Sequence, residues 1–208
     1  MDIETAYNDW SSTYDQDRNL TRDLDQQVTR AAFRNQRYNN TLELGCGTGK
    51  NTELLSNISK TVHALDFSEG MIQQARQKLV SENVRFTRTD LTRPWPAEDA
   101  GHDLIICNLV LEHIEDLSFI FSEAFRCLQK YGWFYVSELH PFRQYQGGKA
   151  RFQRGESVTE VAAYMHHISQ FLQAATSHQL KLESFNEHWH QDDEGKPPRL
   201  ATFLFKKQ

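Results

Sequence analysis

Three glycines at alternate positions constrain this chain more than any other feature. Gly45, Gly47 and Gly49 stand in the segment Glu43-Leu-Gly45-Cys46-Gly47-Thr-Gly49. The short apolar run Thr41–Leu44 precedes them, and a helical pattern over Lys50–Ile58 follows. Glycine tolerates backbone conformations that other residues avoid, so the segment reads as a tight strand-to-helix turn open to close approach by a ligand. The helix behind it begins with unpaired N–H groups, which suit an anionic or polar ligand.

The same unit then repeats. Thr61–Leu65 is a second strand, and Ser68 is placed to cap a helix whose apolar face is Met71, Ile72, Ala75 and Leu79. Val84–Thr87 is a third strand, and Asp103–Cys107 a fourth, continuously apolar as in a strand buried on both faces. Leu117, Phe121, Ala124, Phe125 and Leu128 make an amphipathic helix expected to end at Gly132, before a fifth strand at Trp133–Leu139. Ile168, Phe171, Leu172 and Ala175 mark a further helix, with strands at Leu180–Phe185 and Leu200–Phe205. This alternation predicts an α/β fold with a doubly wound, mostly parallel sheet, whose ligand sits beyond the carboxyl ends of the strands. Ahead of it, Ile3, Tyr7, Trp10 and Tyr14 form one helical stripe, and Leu20, Leu24, Val28 and Ala31 a second.

Composition narrows the function. Net charge is −5, and no Lys/Arg-rich arm exists to wrap a nucleic acid. The longest apolar run, Leu104–Leu111, is broken by Cys107 and Asn108 and is too short to span a membrane. The acidic start gives no sign of a secretory leader, so a soluble, cytoplasmic protein is expected. Cys46, Cys107 and Cys127 lack the spacing of a disulfide framework or a zinc knuckle. His166-His167 and His188/His190 have no supporting Cys or carboxylate pattern, and no metal is expected.

The glycine segment with Glu43 before it resembles the first motif of the class I S-adenosylmethionine-dependent methyltransferases. The dinucleotide fingerprint would put a glycine at 50, where this chain has Lys50. Further segments match the family in order: Ala64-Leu-Asp66-Phe67-Ser-Glu-Gly-Met71, Thr89-Asp90-Leu91, and Asp103-Leu-Ile-Ile-Cys-Asn108-Leu109-Val-Leu-Glu-His113. The last resembles the small-molecule members, including the quinone- and biotin-pathway type. The resemblance covers about residues 40–140. It implies a Rossmann-like sheet of seven strands with an antiparallel last strand, and one domain over 1–208. In that domain 1–39 is a helical lid, 40–139 the cofactor core, 140–157 a substrate-side insertion and 158–208 the last helix and strands.

The resemblance implies S-adenosylmethionine as cofactor and S-adenosylhomocysteine as product. It places Gly45, Cys46, Gly47 and Gly49 around the cofactor and Asp66 on its ribose. Phe67 and Met71 would flank the adenine, Asp90 and Leu91 would recognise it, and Asn108 and Leu109 would line the site. Tyr14 would lie over the cofactor. Arg22, as a guanidinium in the same N-terminal segment, is a candidate for the methionine carboxylate or the substrate. One departure is Lys130-Tyr131-Gly132, where the family has Pro-Gly-Gly; this changes a turn.

Methyl transfer from a sulfonium needs alignment and exclusion of water more than acid–base groups. A base is needed only where the acceptor holds its proton tightly. His140, just after the fifth strand, and His113 are the candidates for that role, and His167 could line the same cleft. Residues 140–157 hold Pro141, Gly147, Gly148 and Gly155 and read as a loop. Its cations Arg143, Lys149, Arg151 and Arg154 suit an anionic metabolite, with Tyr14, His140, Arg143, Tyr145 and His167 as substrate residues. A tRNA or other nucleic-acid methyltransferase, a nicotinamide oxidoreductase and a non-catalytic cofactor-binding protein are the competing functions. Oligomeric state is not encoded in any motif.

Overall fold

A computed structural model of the chain describes residues 3–146, 151–154, 157–160 and 163–208, with the backbone course alone for 151–154 and 157–160. Its sheet has seven strands. These are β1 (Tyr38–Leu44), β2 (Ser59–Asp66), β3 (Val84–Arg88), β4 (His102–Asn108), β5 (Leu128–Leu139), β8 (Leu180–His188) and β9 (Leu200–Lys207). The order across the sheet is β3-β2-β1-β4-β5-β9-β8. β1 to β5 pair in parallel, while β9 runs antiparallel to both β5 and β8. The last strand of the chain is therefore the antiparallel one, and it lies inside the sheet.

Burial on both faces explains the continuous apolar run of β4: Leu104, Ile105, Ile106 and Cys107 are all fully buried. On one face, helices α5 (Leu117–Cys127) and α7 (Ile168–Ser177) cover Leu42, Leu44, Ile105, Phe134, Val136, Phe203 and Phe205. On the other, α2 (Leu20–Phe33) and α3 (Lys50–Ile58) cover Val62, Leu104, Ile106 and Tyr135. The strand order reverses between β1 and β4, where Leu44 pairs with Cys107 on one side and Leu65 on the other. A crevice opens at the carboxyl ends of the strands at such a switch point.

The N-terminal segment closes over that crevice. Helix α1 (Ile3–Trp10) docks on α4 (Glu69–Lys78). Asn8 Oδ1 accepts hydrogen bonds from Ser68 Oγ at 2.7 Å and Gly70 N at 3.0 Å. Gly70 permits this approach, because a Cβ there would lie 2.8 Å from Ser11 Oγ. Glu4 and Asp15 add ion pairs to Arg88 and Lys78.

Four expectations are corrected. Helix α1 ends at Trp10, so Tyr14 lies in the turn that follows. The inward face of α2 is Arg22, Leu24, Asp25, Thr29 and Phe33, while Ala31 is exposed. This face is largely polar because it borders the crevice. Helix α5 stops at Cys127 and β5 starts at Leu128, five residues earlier than expected, with Tyr131 at positive φ and a register shift opposite His102/Leu104. Residues 140–157 are not a plain loop. His140 and Pro141 start the short helix α6 (Pro141–Tyr145), and β6 (Arg151–Arg154) pairs antiparallel with β7 (Ser157–Glu160). Lys149, Gly147, Gly148 and Gly155 lie outside the described residues. Among the described residues, no helix is long and apolar enough to cross a membrane.

Candidate active site

The turn after β1 is pinned to the end of β2. Gly45 N and Cys46 N both donate to Leu65 O, at 2.8 and 2.9 Å. Gly45, Gly47 and Gly49 all have positive φ. At Gly45 the requirement is also steric, since a Cβ would lie 2.2 Å from Val110 Cγ2. At Gly47 a Cβ would meet nothing within 4 Å. Gly45→Ala is expected to cost about 2 kcal/mol, from left-handed strain and displacement of Val110. Urea denaturation measures it, and a stability equal to wild type would show that Val110 swings aside freely.

A cavity of about 710 Å³ fills the crevice, a size ordinary for a cofactor site. The turn supplies Gly45, Cys46, Gly47 and Thr48 to its wall, and the carboxyl ends of β2 and β4 supply Asp66, Phe67, Asn108 and Leu109. Met71, Asp90, Leu91 and His113 also line it, with Tyr7, Tyr14, Arg22 and Asp25 from the N-terminal segment. All the expected cofactor residues line it except Gly49, which instead caps α3.

Asp66 is buried and accepts from Gly47 N at 2.8 Å and Ser68 N at 2.9 Å. Burial pushes its carboxyl up to about 6, against the pull of these N–H groups. Asp90 holds its own turn, accepting from Thr92 N and Oγ1. Arg22 donates to the carbonyls of Tyr14 and Asp17 and stacks 5.2 Å from the Tyr14 ring. It thus sets the position of Tyr14. Tyr7 Oη lies 2.8 Å from His113 Nε2.

Several residues were missed by the sequence reading. Asp25 accepts from Asn108 Nδ2 at 2.7 Å and Asn51 Nδ2 at 3.1 Å, tying α2 to β4 and α3. Asn51 lines the cavity, and its Oδ1 is buried and without a hydrogen-bond partner among the described residues. Glu138 at the end of β5 accepts from Val110 N and Leu111 N at 2.9 and 2.8 Å. It fixes the turn after β4, where Leu109 has positive φ. The one sequence signal was the polar spacing of Arg22, Asp25 and Thr29 on a helix.

The expected substrate residues, Tyr14 apart, do not line the cavity. His140 is the N-cap of α6: its Nδ1 accepts from Phe142 N and its Nε2 donates to Glu187 at 2.9 Å. Both ring nitrogens are used, and His140 lines neither this cavity nor the smaller one beside it. Arg143 pairs with Asp193 at 2.9 Å. Tyr145 stacks on His167 with ring centroids 5.6 Å apart, away from both cavities. His166 is buried against the carbonyls of Leu111 and Ile114. Tyr14 alone of that group lies at the site.

Residues 42–136 match the methyltransferase domain family. The biotin biosynthesis bifunctional protein BioHC of Teredinibacter turnerae is 35% identical over 111 residues, covering 48% of this chain and 19% of that protein. The malonyl-[acyl-carrier protein] O-methyltransferase of Bacillus anthracis is 32% identical over 131 residues, 61% of this chain and 48% of the relative. The chain thus spans half or less of the length of these curated relatives. An S-adenosylmethionine-dependent methyltransferase structure from Listeria monocytogenes superposes with TM-score 0.75 at 18% identity, over 88% of this chain and 98% of that one, and shares the fold. The matched segment thus marks residues 42–136 as a methyltransferase domain, similar in sequence to the biotin-pathway and malonyl-[acyl-carrier protein] relatives and in fold to the solved methyltransferase.

Proposed function

We propose that this chain transfers the methyl group of S-adenosylmethionine to a small-molecule acceptor by direct displacement. One observation carries the reading. The cavity at the switch point combines open space at Gly47, a buried carboxylate at Asp66 and a buried acceptor without a partner at Asn51 Oδ1. These are the groups that a ribose, an ammonium and a closely approaching chain would satisfy.

In this reading the two Asp66 oxygens, each with a lone pair to spare, accept from the ribose hydroxyls. The turn from Gly45 through Cys46 and Gly47 to Gly49 lets the methionyl part lie against backbone, with Asn51 taking its ammonium. Phe67 and Met71 flank the adenine, Asp90 and Leu91 meet its edge, and Asn108 and Leu109 form the floor. When bound, the sulfonium supplies a methyl group that is already electrophilic. The protein's part is to hold the acceptor in line and keep water out. Tyr14, positioned by Arg22, covers the cavity, and His113 keeps Tyr7 in place beside it.

An anionic acceptor is the second reading. The name of the malonyl-[acyl-carrier protein] relative speaks for it. Against it, Arg143 is neutralised by Asp193.

Thermal denaturation with S-adenosylhomocysteine and with NADH tests the class of cofactor. At a hundred times its Kd, a ligand adds about 2.7 kcal/mol, which for a domain of this size raises Tm by roughly 5–10 °C. That rise is expected with S-adenosylhomocysteine, and none with NADH. Stabilisation by NADH alone would replace the methyltransferase reading with a redox one. Labelled S-adenosylmethionine that binds but passes no label to a metabolite extract would leave a binding protein.

A further inference from the structure

Beside the large cavity lies a second of about 330 Å³. The two share Tyr7, Tyr14 and Leu109 as walls. If the cofactor fills the first, as proposed above, the second is the chamber next to its reacting end, and the inference that follows rests on that reading.

The chamber's charges are unevenly satisfied. Two cations reach it, and each is already paired. Arg18 is exposed and bound to Asp192 at 3.0 Å, and Arg199 grips the buried Asp193 through Nε at 2.7 Å and Nη2 at 2.5 Å. The one carboxylate in the chamber is Glu112, nine-tenths buried on the turn after β4. Among the described residues, no Arg or Lys pairs with it. Its Oε2 has only a marginal donor, Gln144 Nε2 at 3.5 Å, and its Oε1 lies 3.9 Å from His113 Nε2, a nitrogen already engaged with Tyr7 at 2.8 Å. A carboxylate out of water without a strong donor is costly, and a ligand that brings N–H groups and positive charge offsets the cost. The rings of Tyr7, Trp10 and Tyr14 line the same chamber and pack together, with Trp10 and Tyr14 centroids 4.7 Å apart. Aromatic faces attract a cation and give nothing to an anion. A second carboxylate brought in here would face Glu112 across a few ångströms in a partly dry space, where like charges repel strongly.

We propose that this chamber takes a small amine and that Glu112 selects it, so that the acceptor atom is nitrogen. The amine arrives as ammonium and is held by the Glu112 carboxylate. It gives one proton to that carboxylate, which becomes the neutral acid, and its freed lone pair forms the new N–C bond. The carbon–sulfur bond breaks as the N–C bond forms, so the positive charge passes from sulfur to the methylated nitrogen and a neutral thioether leaves. A chamber of about 330 Å³ admits a compact molecule and is small for a nucleotide within a strand.

The test incubates the full chain with methyl-labelled S-adenosylmethionine and the small-molecule fraction of a cell extract, then sorts the label by chemistry. Label retained on a cation exchanger and stable to base is expected. Label released by base as volatile methanol marks a methyl ester and would overturn the inference, as would label in neutral ethers or none in any fraction. Glu112→Gln keeps the shape of the side chain and removes its charge. It is expected to lower labelling at least thirtyfold with S-adenosylhomocysteine affinity within threefold of wild type. Undiminished labelling by Glu112→Gln would also overturn it. Wild-type protein that fails to bind S-adenosylhomocysteine would instead strike the cofactor reading, at a separate readout, and this inference with it.

Discussion

Asp66→Ala is expected to weaken S-adenosylhomocysteine binding by more than a hundredfold, measured by calorimetry. A hydrogen bond to a charged group contributes about 1.5–3 kcal/mol, and two ribose hydroxyls engage this carboxylate in the proposed complex. Losing both exceeds the ~2.8 kcal/mol that a hundredfold change requires. Asp66 also accepts from Gly47 N and Ser68 N, so alanine loosens the glycine turn as well. Asp66→Asn, which keeps one acceptor oxygen, is expected to fall between. The charged form is the better acceptor, and burial lifts this carboxyl to about 6. Affinity is therefore expected to be flat above that pH and to decline below it, by up to tenfold per unit. Wild-type affinity in Asp66→Ala would remove Asp66 from the ribose.

Glu138 carries the second large effect, on stability. Its Oε1 is the acceptor for two N–H groups, that of Leu111, buried, and that of Val110, half-buried. Glu138→Ala orphans both, at an expected total of about 3 kcal/mol. Glu138→Gln keeps the acceptor and is expected to cost less than about 1 kcal/mol at pH 7. The reason is protonation. Burial pushes the Glu138 carboxyl from 4.5 up to about 8, so the native protein holds a proton there that the unfolded chain releases. The stability associated with that proton is complete below pH 4.5 and is lost as pH rises through 8. Glu138→Gln removes this dependence, flattening the stability profile between those limits by up to about 1.4 kcal/mol per unit. Glu43, buried under Thr52 and also raised to about 8, contributes in the same window and remains in the variant. A profile as steep in Glu138→Gln as in wild type would mean that Glu138 is ionised in the native state.

Local periodicity made much of this fold legible. Lys50–Ile58 was readable to the residue because glycine precedes it and a strand pattern follows. The core of β4 was readable because both its faces are buried. The end of α5 was not. Gly132 looks like a helix stop, yet its role is close approach: a Cβ there would lie 3.0 Å from Gln129 O and 3.1 Å from His102 O. The site divides the same way. The glycine turn and Asp66 were visible because a strand end and a turn dictate them. Asp25, Asn51, Glu112 and Glu138 were not, because a polar side chain takes its meaning from neighbours distant in sequence. His140 shows the converse, a residue chemically suited to catalysis that folding uses as a helix cap.

The placement of β9 bears on how the molecule is assembled over time. β9 lies between β5 and β8, and β8 has no other partner in the sheet. Residues 180–188 can therefore join the sheet only through residues 200–207, once these have paired with β5. Two strands join the sheet in one late event, through contacts distant in sequence, the kind that slow folding. Until then β5 presents an open edge beside half-covered Phe134 and Val136, a template for another chain. Aggregation during refolding should thus be governed by how quickly the segment 200–207 finds β5.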